Sequence, residues 1–562
     1  MATDVLTPQV AEDYPNHLAA ATPRRDVFPR RLGTLAGLVL VCLALRGAMA
    51  WRIPSLTPDS VVFIRSAQAL EAGDLHSAAA DIGLNTYPWI LMLLHRAGLG
   101  WESAGVLWGV VISSLVVLPL FGWVRRQFDD RVALAACLLY AVQPKMIEWA
   151  PEVMRDSTFW FLMALVLYLL WRAVTEVRLA WFALAGIGFI LACLTRFEGL
   201  FLLIPMGLWS LWRWLALRES RGRLIVGLAL CLGLVPALAL AAILLVPAIA
   251  SGGFPLRLEP WTHFTMWVEV MVGHASWDAA ALNPLLPASE PPLSFSRMLR
   301  VFFPTMTRGL SPLFALLMFG GMWGWRHVWS RRDHQAPFWT GNAVIVGIWV
   351  HLWYDRLICP RYALPIVLLG APFAALGFLG LMRRVAKWTA WLQARPRLRA
   401  ALVAMPLVLV AGIGVADAMT CNRTYFASRK VAVELGQWLR GAPWPAPMVV
   451  GPVGTTPIVQ YYADKGRYEL YRFDTADSAA ISALVSRYHP DLVLLRTTKR
   501  MNSAQCGKLV EQMKARGFRE IEPVEQPAKG EPLFVLIREK LSGTVFDRGS
   551  SLHGRHLPEN GS

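Results

Sequence analysis

Long apolar runs alternate with short charged segments along most of the chain. A helix that crosses a bilayer needs about 20 predominantly apolar residues, and the first run of this kind extends from Leu32 to Ala50. Further runs follow at about 103–124, 131–147, 157–174, 179–195, 199–215, 224–250, 309–325, 337–353, 362–382 and 398–417. The pattern predicts about eleven transmembrane helices. Short turns separate the runs between 131 and 215, so one hairpin there could change the count.

The charges between the runs predict how the chain is oriented. Arginine and lysine are enriched in cytoplasmic loops, and the basic cluster Arg24, Arg25, Arg30 and Arg31 directly precedes or begins the first run. Every second connection is also basic, with Arg125, Arg126, Arg131, Arg172, Arg178, Arg213, Arg218, Arg221, Arg223, Arg326, Arg331, Arg332, Arg383, Arg384, Lys387, Arg395, Arg397 and Arg399. We therefore expect a multi-pass protein of the inner or plasma membrane with a cytoplasmic N-terminus. An odd number of spans then puts the C-terminus on the periplasmic or extracellular side.

Composition agrees with a membrane protein and excludes other classes. The chain is 55% hydrophobic and only 17% charged, whereas globular proteins average roughly 25% charged residues. This excludes a disordered chain and an ordinary soluble enzyme. A formal net charge of +17 would suggest a nucleic-acid partner in a soluble protein, but here the basic residues follow the topology and no nucleic acid is needed.

The chain divides into four predicted parts. Residues 1–31 form a cytoplasmic tail, and 32–417 form the transmembrane module with two long outer loops, 52–102 and 251–308. Residues 418–540 have shorter apolar runs and more charge, which indicates a soluble outer domain, and 541–562 are predicted to be disordered. In the outer domain, strand-like segments alternate with helical ones, which predicts a small, mostly parallel α/β sheet. The predicted strands are Met448–Gly451, Tyr468–Phe473, Leu492–Leu495 and Leu533–Ile537.

Charged residues at the outer ends of the spans are the candidate functional groups, because ionisable side chains at membrane depth cost several kcal/mol. Four distant segments supply them, with Asp59 in the first, Glu148, Glu152, Arg155 and Asp156 in the second, Arg196 and Glu198 in the third, and Asp355, Arg356 and Arg361 in the last. Each alone could be a loop charge or a helix cap. Arginine binds phosphate through two hydrogen bonds and a carboxylate can remove a hydroxyl proton, so the set suits glycosyl or phosphoryl transfer. If a helix begins at Glu152, then Glu152 and Asp156 share one face.

The order of several short motifs resembles the GT-C membrane glycosyltransferases, in the branch of the bacterial protein O-mannosyltransferases and the lipid A aminoarabinose transferases (glycosyltransferase family 39-like). The resemblance covers about residues 32–417. It rests on Asp59 with Ala67–Asp74, Tyr87–Leu94, Arg125 and Arg126 with Phe128, Asp156, Arg196–Leu200, and Arg361–Pro365. Two departures concern the acceptor: Ser60 follows Asp59 where relatives often have a second acid, and Asn85-Thr86 precedes Tyr87-Pro88 where many have His-Pro-Pro or Lys-Pro-Pro.

The resemblance implies a GT-C-type polytopic α-helical enzyme with a small C-terminal α/β domain. It would transfer a sugar from a polyprenyl-phosphate donor to a glycan, lipid or protein acceptor on the outer face of the membrane. Asp59 would be the general base of an inverting displacement, and Asp156 with Glu152 would position the acceptor or a metal. The donor phosphate would be neutralised by arginines, namely Arg361, Arg356, Arg196 and Arg155. Carboxylates can hold Mg²⁺ or Mn²⁺, although no ligand spacing requires a cofactor.

Three aromatic residues are candidates for contact with the sugar or the acceptor. They are Tyr87, in the first outer loop, and Trp261 and Trp267, in the second. Cys421 and Cys506 fall outside the membrane, where a disulfide can persist, and could bridge the C-terminal domain. Two other functions stay open: a transporter or flippase of lipid-linked sugars, and a non-catalytic GT-C relative that binds glycan. A transporter would have charges near the bilayer midplane and inverted repeats, which the sequence lacks.

Overall fold

The structure is a computed structural model. It describes residues 28–52, 56–80, 82–216, 220–245, 295–324, 332–355, 358–391, 395–420, 423–444, 446–452, 454–464, 467–471, 478–496, 503–521 and 533–539. Several predictions concern residues outside these ranges. They are the cytoplasmic tail up to residue 27, most of the loop 251–308 with Trp261 and Trp267, Arg356, Cys421, and the C-terminal tail 541–562.

The chain is mostly helical, as the apolar runs predict. Helices lie at Phe28–Ala50, Pro58–Glu71, Leu75–Ala80, Thr86–Arg96, Trp101–Leu115, Val117–Gln127, Asp130–Ala141, Pro144–Trp149, Asp156–Glu176, Leu179–Thr195, Leu203–Ala216, Arg221–Leu245, Phe295–Leu310, Pro312–Gly324, Arg332–Asp355, Leu364–Trp388, Pro396–Thr420, Arg423–Gly441, Thr456–Ala463, Ser478–Tyr488 and Ser503–Lys514. Short 3-10 turns at Phe197–Leu202 and Pro360–Ala363 lead into the helices that follow them.

Six of the described helical segments are long and apolar enough to cross a membrane, or seven if one bent pair is a single span. The six are Gly33–Ala50, Trp101–Gln127, Asp156–Glu176, Phe197–Ala216, Pro360–Trp388 and Pro396–Thr420. The bent pair, Phe295–Leu310 and Pro312–Gly324, turns by 89°. It breaks at Ser311, whose φ of 59° is left-handed, and at Pro312, which has no N–H to continue the helix.

The predicted run 131–147 is divided in the structure. The helix Asp130–Ala141 is followed by a separate short helix, Pro144–Trp149. Gln143 caps the second helix, because its side chain accepts a hydrogen bond from the backbone N–H of Met146 and Pro144 occupies the first helical turn. A proline at this position starts a helix and ends the previous one, so the apolar run is continuous in sequence but not in structure.

Two long helices form the centre of the membrane module. Asp156–Glu176 and Pro360–Trp388 are the most buried of the candidate spans. In the helices Asp156–Glu176 and Leu364–Trp388, nearly all residues of the first turns are buried, which is typical of a helix surrounded by other helices. The first residues of these two central segments are therefore held at one end of the bundle, where Asp156 and Arg361 lie.

Two surface helices cover that end of the bundle. Thr57 and Ser60 form a reciprocal capping box that starts the helix Pro58–Glu71, and Asn85 caps the helix Thr86–Arg96. The two helices pack through Phe63 and Tyr87, whose rings meet edge to face at 5.3 Å. Asp59 is thereby fixed in the first turn of a capped helix.

A five-stranded sheet follows the last span. Its strands are β1 (Met448–Pro452), β2 (Arg467–Tyr471), β3 (Leu492–Arg496), β4 (Phe518–Ile521) and β5 (Leu533–Arg538), in the order β2-β1-β3-β5-β4. β1 pairs in parallel with β2 and β3, whereas β5 is antiparallel to β3 and β4. The sheet is therefore mixed, and β4 was not among the predicted strands.

Candidate active site

A cavity of about 480 Å³ opens where the two central helices begin. One end of it is lined by charged side chains, Asp59, Arg155, Asp156, Arg196, Glu198 and Arg361. The remaining wall is largely apolar, with Val62, Phe63, Ile82, Phe197, Phe201, Val344 and Ile348. The cavity therefore offers a charged pocket beside an apolar surface.

Asp59 and Arg361 form the first ion pair of the cavity. Arg361 Nη2 lies 2.6 Å from Asp59 Oδ2, although the two residues come from opposite ends of the membrane module. Asp59 is still 48% exposed, while Arg361 is 18% exposed, so the carboxylate faces the open space of the cavity. Burial raises the pKa of Asp59, but the charges of Arg361 and of the more distant Arg155 and Arg196 outweigh it and leave that pKa below its usual range.

Arg361 has hydrogen-bonding capacity that its neighbours do not use. Its Nη1 group contacts only a weak acceptor, Met154 Sδ, at 3.4 Å. Its Nε is buried and has no hydrogen-bond partner among the residues that the structure describes. A guanidinium in this state can accept an anion in the cavity through two parallel hydrogen bonds.

Arg196 is already bound by two carboxylates. It donates to Asp156 Oδ1 through Nη1, and to Glu198 through Nε at 3.0 Å and Nη2 at 2.5 Å. All three side chains are buried. Burial lowers the pKa of Arg196, but the negative charges of Asp156 and Glu198 raise it by more. The pKa of Arg196 is therefore above its usual value. Arg196 therefore holds Asp156 and Glu198 in place at the cavity wall.

Arg155 and Tyr362 complete the charged end. The guanidinium of Arg155 lies 5.6 Å from the ring centre of Phe63. The ring of Tyr362 lies within 5.8 Å of Arg196 and 5.5 Å of Arg361, which is close enough for cation–π attraction to both. Tyr362 was not among the candidate residues of the sequence analysis, although it follows Arg361 directly in sequence.

The prediction that Glu152 and Asp156 share a helix face is wrong. The helix begins at Asp156, and Glu152 lies in the irregular segment before it. The spacing of four residues therefore does not put the two side chains on one helix face. Glu152 does not line the cavity. Its carboxylate is instead buried against Arg429, with Arg429 Nη1 at 2.7 Å and 3.0 Å from its two oxygens.

Tyr87 also lies behind the cavity wall rather than in it. Its side chain is fully buried, and its hydroxyl has no hydrogen-bond partner within the described part of the chain. Burial raises the pKa of Tyr87, and the carboxylates of Asp156 and Glu152 raise it further. In this arrangement Tyr87 supports Phe63, which does line the cavity.

The described residues do not fit a divalent-cation site. They contain no group of three or more His, Cys, Asp or Glu side chains placed to hold a metal ion. The three carboxylates to which a catalytic role was assigned are each bound by an arginine: Asp59 by Arg361, Asp156 by Arg196, and Glu152 by Arg429. These ion pairs compensate the negative charges of Asp59, Asp156 and Glu152.

Cys506, the predicted disulfide partner of Cys421, is buried. It packs in the core on one side of the sheet. Cys421 lies outside the described residues.

Part of the chain matches a known family. A family model described as dolichyl-phosphate-mannose-protein mannosyltransferase matches residues 86–245. The matched stretch includes Asp156 and Arg196 but neither Asp59 nor Arg361. No curated protein sequence matches the chain.

The chain is also similar to solved structures of an oligosaccharyltransferase and of ArnT. The oligosaccharyltransferase of Archaeoglobus fulgidus in complex with Zn and sulfate is 13% identical, with a TM-score of 0.52 over 85% of this chain and 69% of that chain. The same protein tethered to an acceptor peptide is 12% identical, with a TM-score of 0.50 over 88% and 73%. ArnT from Cupriavidus metallidurans in the apo state is 14% identical, with a TM-score of 0.48 over 91% and 99%. The likeness to the oligosaccharyltransferase shows the fold.

Proposed function

We propose that this chain, whose partial family match and fold are consistent with a GT-C superfamily glycosyltransferase, transfers a sugar from a polyprenyl-phosphate donor to an acceptor hydroxyl. The acceptor is a glycan, a lipid or a protein. The observation that carries the proposal is the Asp59–Arg361 pair, because it joins a carboxylate open to the cavity with a guanidinium whose donors are only partly used. The description of the matched family, which names a lipid-phosphate sugar, supports the same donor class.

The shape of the cavity suits a donor that is half lipid. A phosphodiester needs a cationic partner, which Arg361 and Arg155 supply at the charged end. A polyprenyl chain needs an apolar surface that continues into the bilayer, and Phe201, Val344 and Ile348 supply the apolar wall. A water-soluble nucleotide sugar would have no use for that wall.

The chemical step follows from the Asp59–Arg361 ion pair. When the donor phosphate binds Arg361, it competes with Asp59 for the guanidinium and frees that carboxylate. Asp59 then takes the proton of the acceptor hydroxyl as its oxygen attacks the anomeric carbon, and the bond from that carbon to the phosphate oxygen breaks. The leaving polyprenyl phosphate gains one negative charge, which Arg361 stabilises. A single displacement from the opposite face inverts the anomeric configuration.

Asp156 and Glu198 act on the acceptor side in this proposal. Arg196 fixes both carboxylates at the wall of the cavity, where they can accept hydrogen bonds from sugar hydroxyls. Because Arg196 carries two carboxylates, this group is net negative and would not bind the phosphate itself. Arg361 and Arg155 are therefore the phosphate-binding residues, and Arg196 positions Asp156.

The decisive experiment is the substitution Asp59→Asn in purified protein supplied with polyprenyl-phosphate hexoses and pentoses and a panel of acceptors. The amide keeps the size of the side chain but cannot take a proton, so we expect transfer to fall by about 10²- to 10⁴-fold. Glu71→Gln is the matched control, because Glu71 ends the same helix, and its ion-pair partners among the described residues, His95 and Arg96, do not line the cavity. No transfer from any donor by the wild-type protein, or unchanged transfer by Asp59→Asn, would contradict the proposal.

A further inference from the structure

Polar contacts join the described residues of the C-terminal region, residues 423–539, to the membrane module beside the cavity. Arg429 binds Glu152, Gln460 accepts a hydrogen bond from Arg65, and the hydroxyl of Tyr462 lies 2.9 Å from Glu102 Oε2. Tyr461 and Tyr462 also pack on the apolar cluster that contains Phe63 and Tyr87. This region therefore rests on the same surface helices that shape the cavity.

The Arg429–Glu152 pair differs from the other contacts in its burial. Both side chains are only 2% exposed. Removing two charges from water is unfavourable, and a buried ion pair adds little net stability compared with apolar residues of similar size. Burial raises the pKa of Glu152, while Arg429 opposes that shift. Stability alone therefore does not account for the Arg429–Glu152 pair, whereas a need to fix the position of Glu152 would account for it.

The segment that carries Glu152 is wedged between two surfaces. On one side it packs on bare glycines of the helix Trp101–Leu115: a Cβ on Gly109 would lie 2.2 Å from the carbonyl oxygen of Ala150, and one on Gly105 would lie 2.4 Å from Val153. On the other side Arg429 binds Glu152 through both carboxylate oxygens. The backbone from Ala150 to Val153 is thus fixed from both directions.

The residues that follow immediately in sequence line the cavity. Met154 contacts Arg361, Arg155 faces the charged end, and Asp156 binds Arg196. A shift of the segment 150–153 would move all three, because no flexible linker separates them from Glu152. Misplacing a catalytic group by about 1 Å can cost 10²-fold in rate.

We propose that Arg429 and Glu152 are positioning residues, through which the C-terminal region sets the placement of Met154, Arg155 and Asp156 in the cavity. This inference rests on the proposed sugar transfer. It assigns Glu152 no contact with substrate, and it makes the C-terminal region part of the working enzyme rather than an appended module. The contact between Arg65 and Gln460 acts in the same direction on the helix that carries Asp59.

The first test compares Arg429→Met and Arg429→Lys with Arg440→Met. Arg440 lies on the same helix and pairs with Asp464, but both of those side chains are more than 60% exposed. We expect Arg429→Met to lower kcat by about 10- to 100-fold with a smaller change in the KM for the donor. Arg429→Lys should recover part of the loss, and Arg440→Met should equal the wild type.

A second variant separates positioning from stability. Glu152→Met combined with Arg429→Met leaves neither charge buried alone, so its midpoint of thermal unfolding should return towards that of the wild type. If the pair positions the segment, kcat stays low in this folded protein. Wild-type kcat in the double variant, or in folded Arg429→Met, would overturn the inference.

The same assays distinguish this inference from the proposed function. If the wild type transfers sugar and Asp59→Asn does not, the proposed function holds whatever the Arg429 variants show. If Asp59→Asn is as active as the wild type, the chemistry is wrong and the positioning argument falls with it.

Discussion

At the scale of single residues, Arg361 connects the parts of the proposed mechanism. It binds Asp59 in the absence of substrate, contacts Met154 on the segment that Arg429 holds, and stacks near Tyr362. Exchange of Asp59 for a donor phosphate would convert a paired carboxylate, which is a weak base, into a stronger one. The donor would thereby activate the base that its own transfer requires.

Removing the Arg361 charge should move the acidic limit of the reaction to higher pH. The net effect of its surroundings places the pKa of Asp59 below the usual value of about 3.9, and Asp59 is a base only when ionised. Wild-type transfer should therefore persist as the pH falls through the ordinary carboxyl range. In Arg361→Gln the burial remains while the main opposing charge is gone, so the pKa rises and the residual activity is lost at a higher pH.

The measurement is kcat/KM against pH, which reports the ionisation of the free enzyme. Arg96→Gln is the control, because Arg96 lies on a neighbouring surface helix and is 3.8 Å from Glu71, away from the cavity. If kcat/KM of Arg361→Gln and of the wild type falls off at the same acidic pH, Asp59 is not the titrating base.

The sequence identifies candidate residues of the site, but it does not predict which of them form ion pairs with one another. Asp59, Arg155, Asp156, Arg196 and Arg361 were predicted from charge at span ends and from motif order, and all of them line one cavity. Arg361 and Asp59 are 302 positions apart in the sequence. Their ion pair therefore depends on how distant segments pack, which no local pattern encodes. Glu152 was misplaced for a local reason, since the irregular segment before Asp156 breaks the assumed helical spacing.

At the scale of elements, bare glycines let the helices that support the cavity approach closely. A Cβ on Gly377 would lie 2.0 Å from the carbonyl oxygen of Leu317, and one on Gly321 would lie 1.9 Å from that of Phe373. These contacts join the helix Pro312–Gly324 to the helix Leu364–Trp388. A Cβ on Gly309 would meet the carbonyl oxygen of Pro360 at 2.4 Å, so the turn that carries Arg361 is held in the same way.

Gly377→Ala should therefore destabilise the protein, although alanine is the better helix former. The intrinsic gain is at most about 1 kcal/mol, whereas forcing a methyl group into backbone atoms of a neighbouring helix costs typically about 1–3 kcal/mol. Gly380→Ala is the matched control on the same helix, since a Cβ there meets nothing within 4 Å. Thermal unfolding in detergent should show a lower midpoint for Gly377→Ala only, and equal midpoints would refute the close packing.

Hydropathy predicted where helices lie better than where they break. The runs at 157–174 and 398–417 fall within single helices, because long apolar stretches in a bilayer have few other ways to satisfy their backbone groups. The breaks at Ser311 and at Gln143 depend on one left-handed residue and one cap, respectively. Strand β4 is only four residues long and lies at the edge of the sheet, where it pairs with β5. So short a segment has too few alternating apolar residues to predict a strand.

At the scale of the whole molecule, the cavity and the basic residues lie at opposite ends of the same helices. The helix Asp156–Glu176 has Asp156 at the cavity and Arg172 in its last turns, and the span Pro360–Trp388 runs from Arg361 to Arg383, Arg384 and Lys387. If basic residues mark the cytoplasmic side, the cavity opens on the outer face. The C-terminal region lies on that side too, because Tyr462 and Gln460 contact the surface helices around the cavity.

This orientation can be tested with single cysteines placed at the two ends. Asp464 is exposed on the C-terminal region and Arg178 is exposed beside the helix end opposite to Asp156. In right-side-out membrane vesicles, a membrane-impermeant maleimide should label Asp464→Cys but not Arg178→Cys, and both after permeabilisation. The native protein is the background control, and its described cysteines are all buried or half-buried. The reverse pattern would place the cavity in the cytoplasm, where a donor carried on the outer leaflet could not reach Arg361, and would exclude the outer-face reaction even if the chemistry at Asp59 were correct.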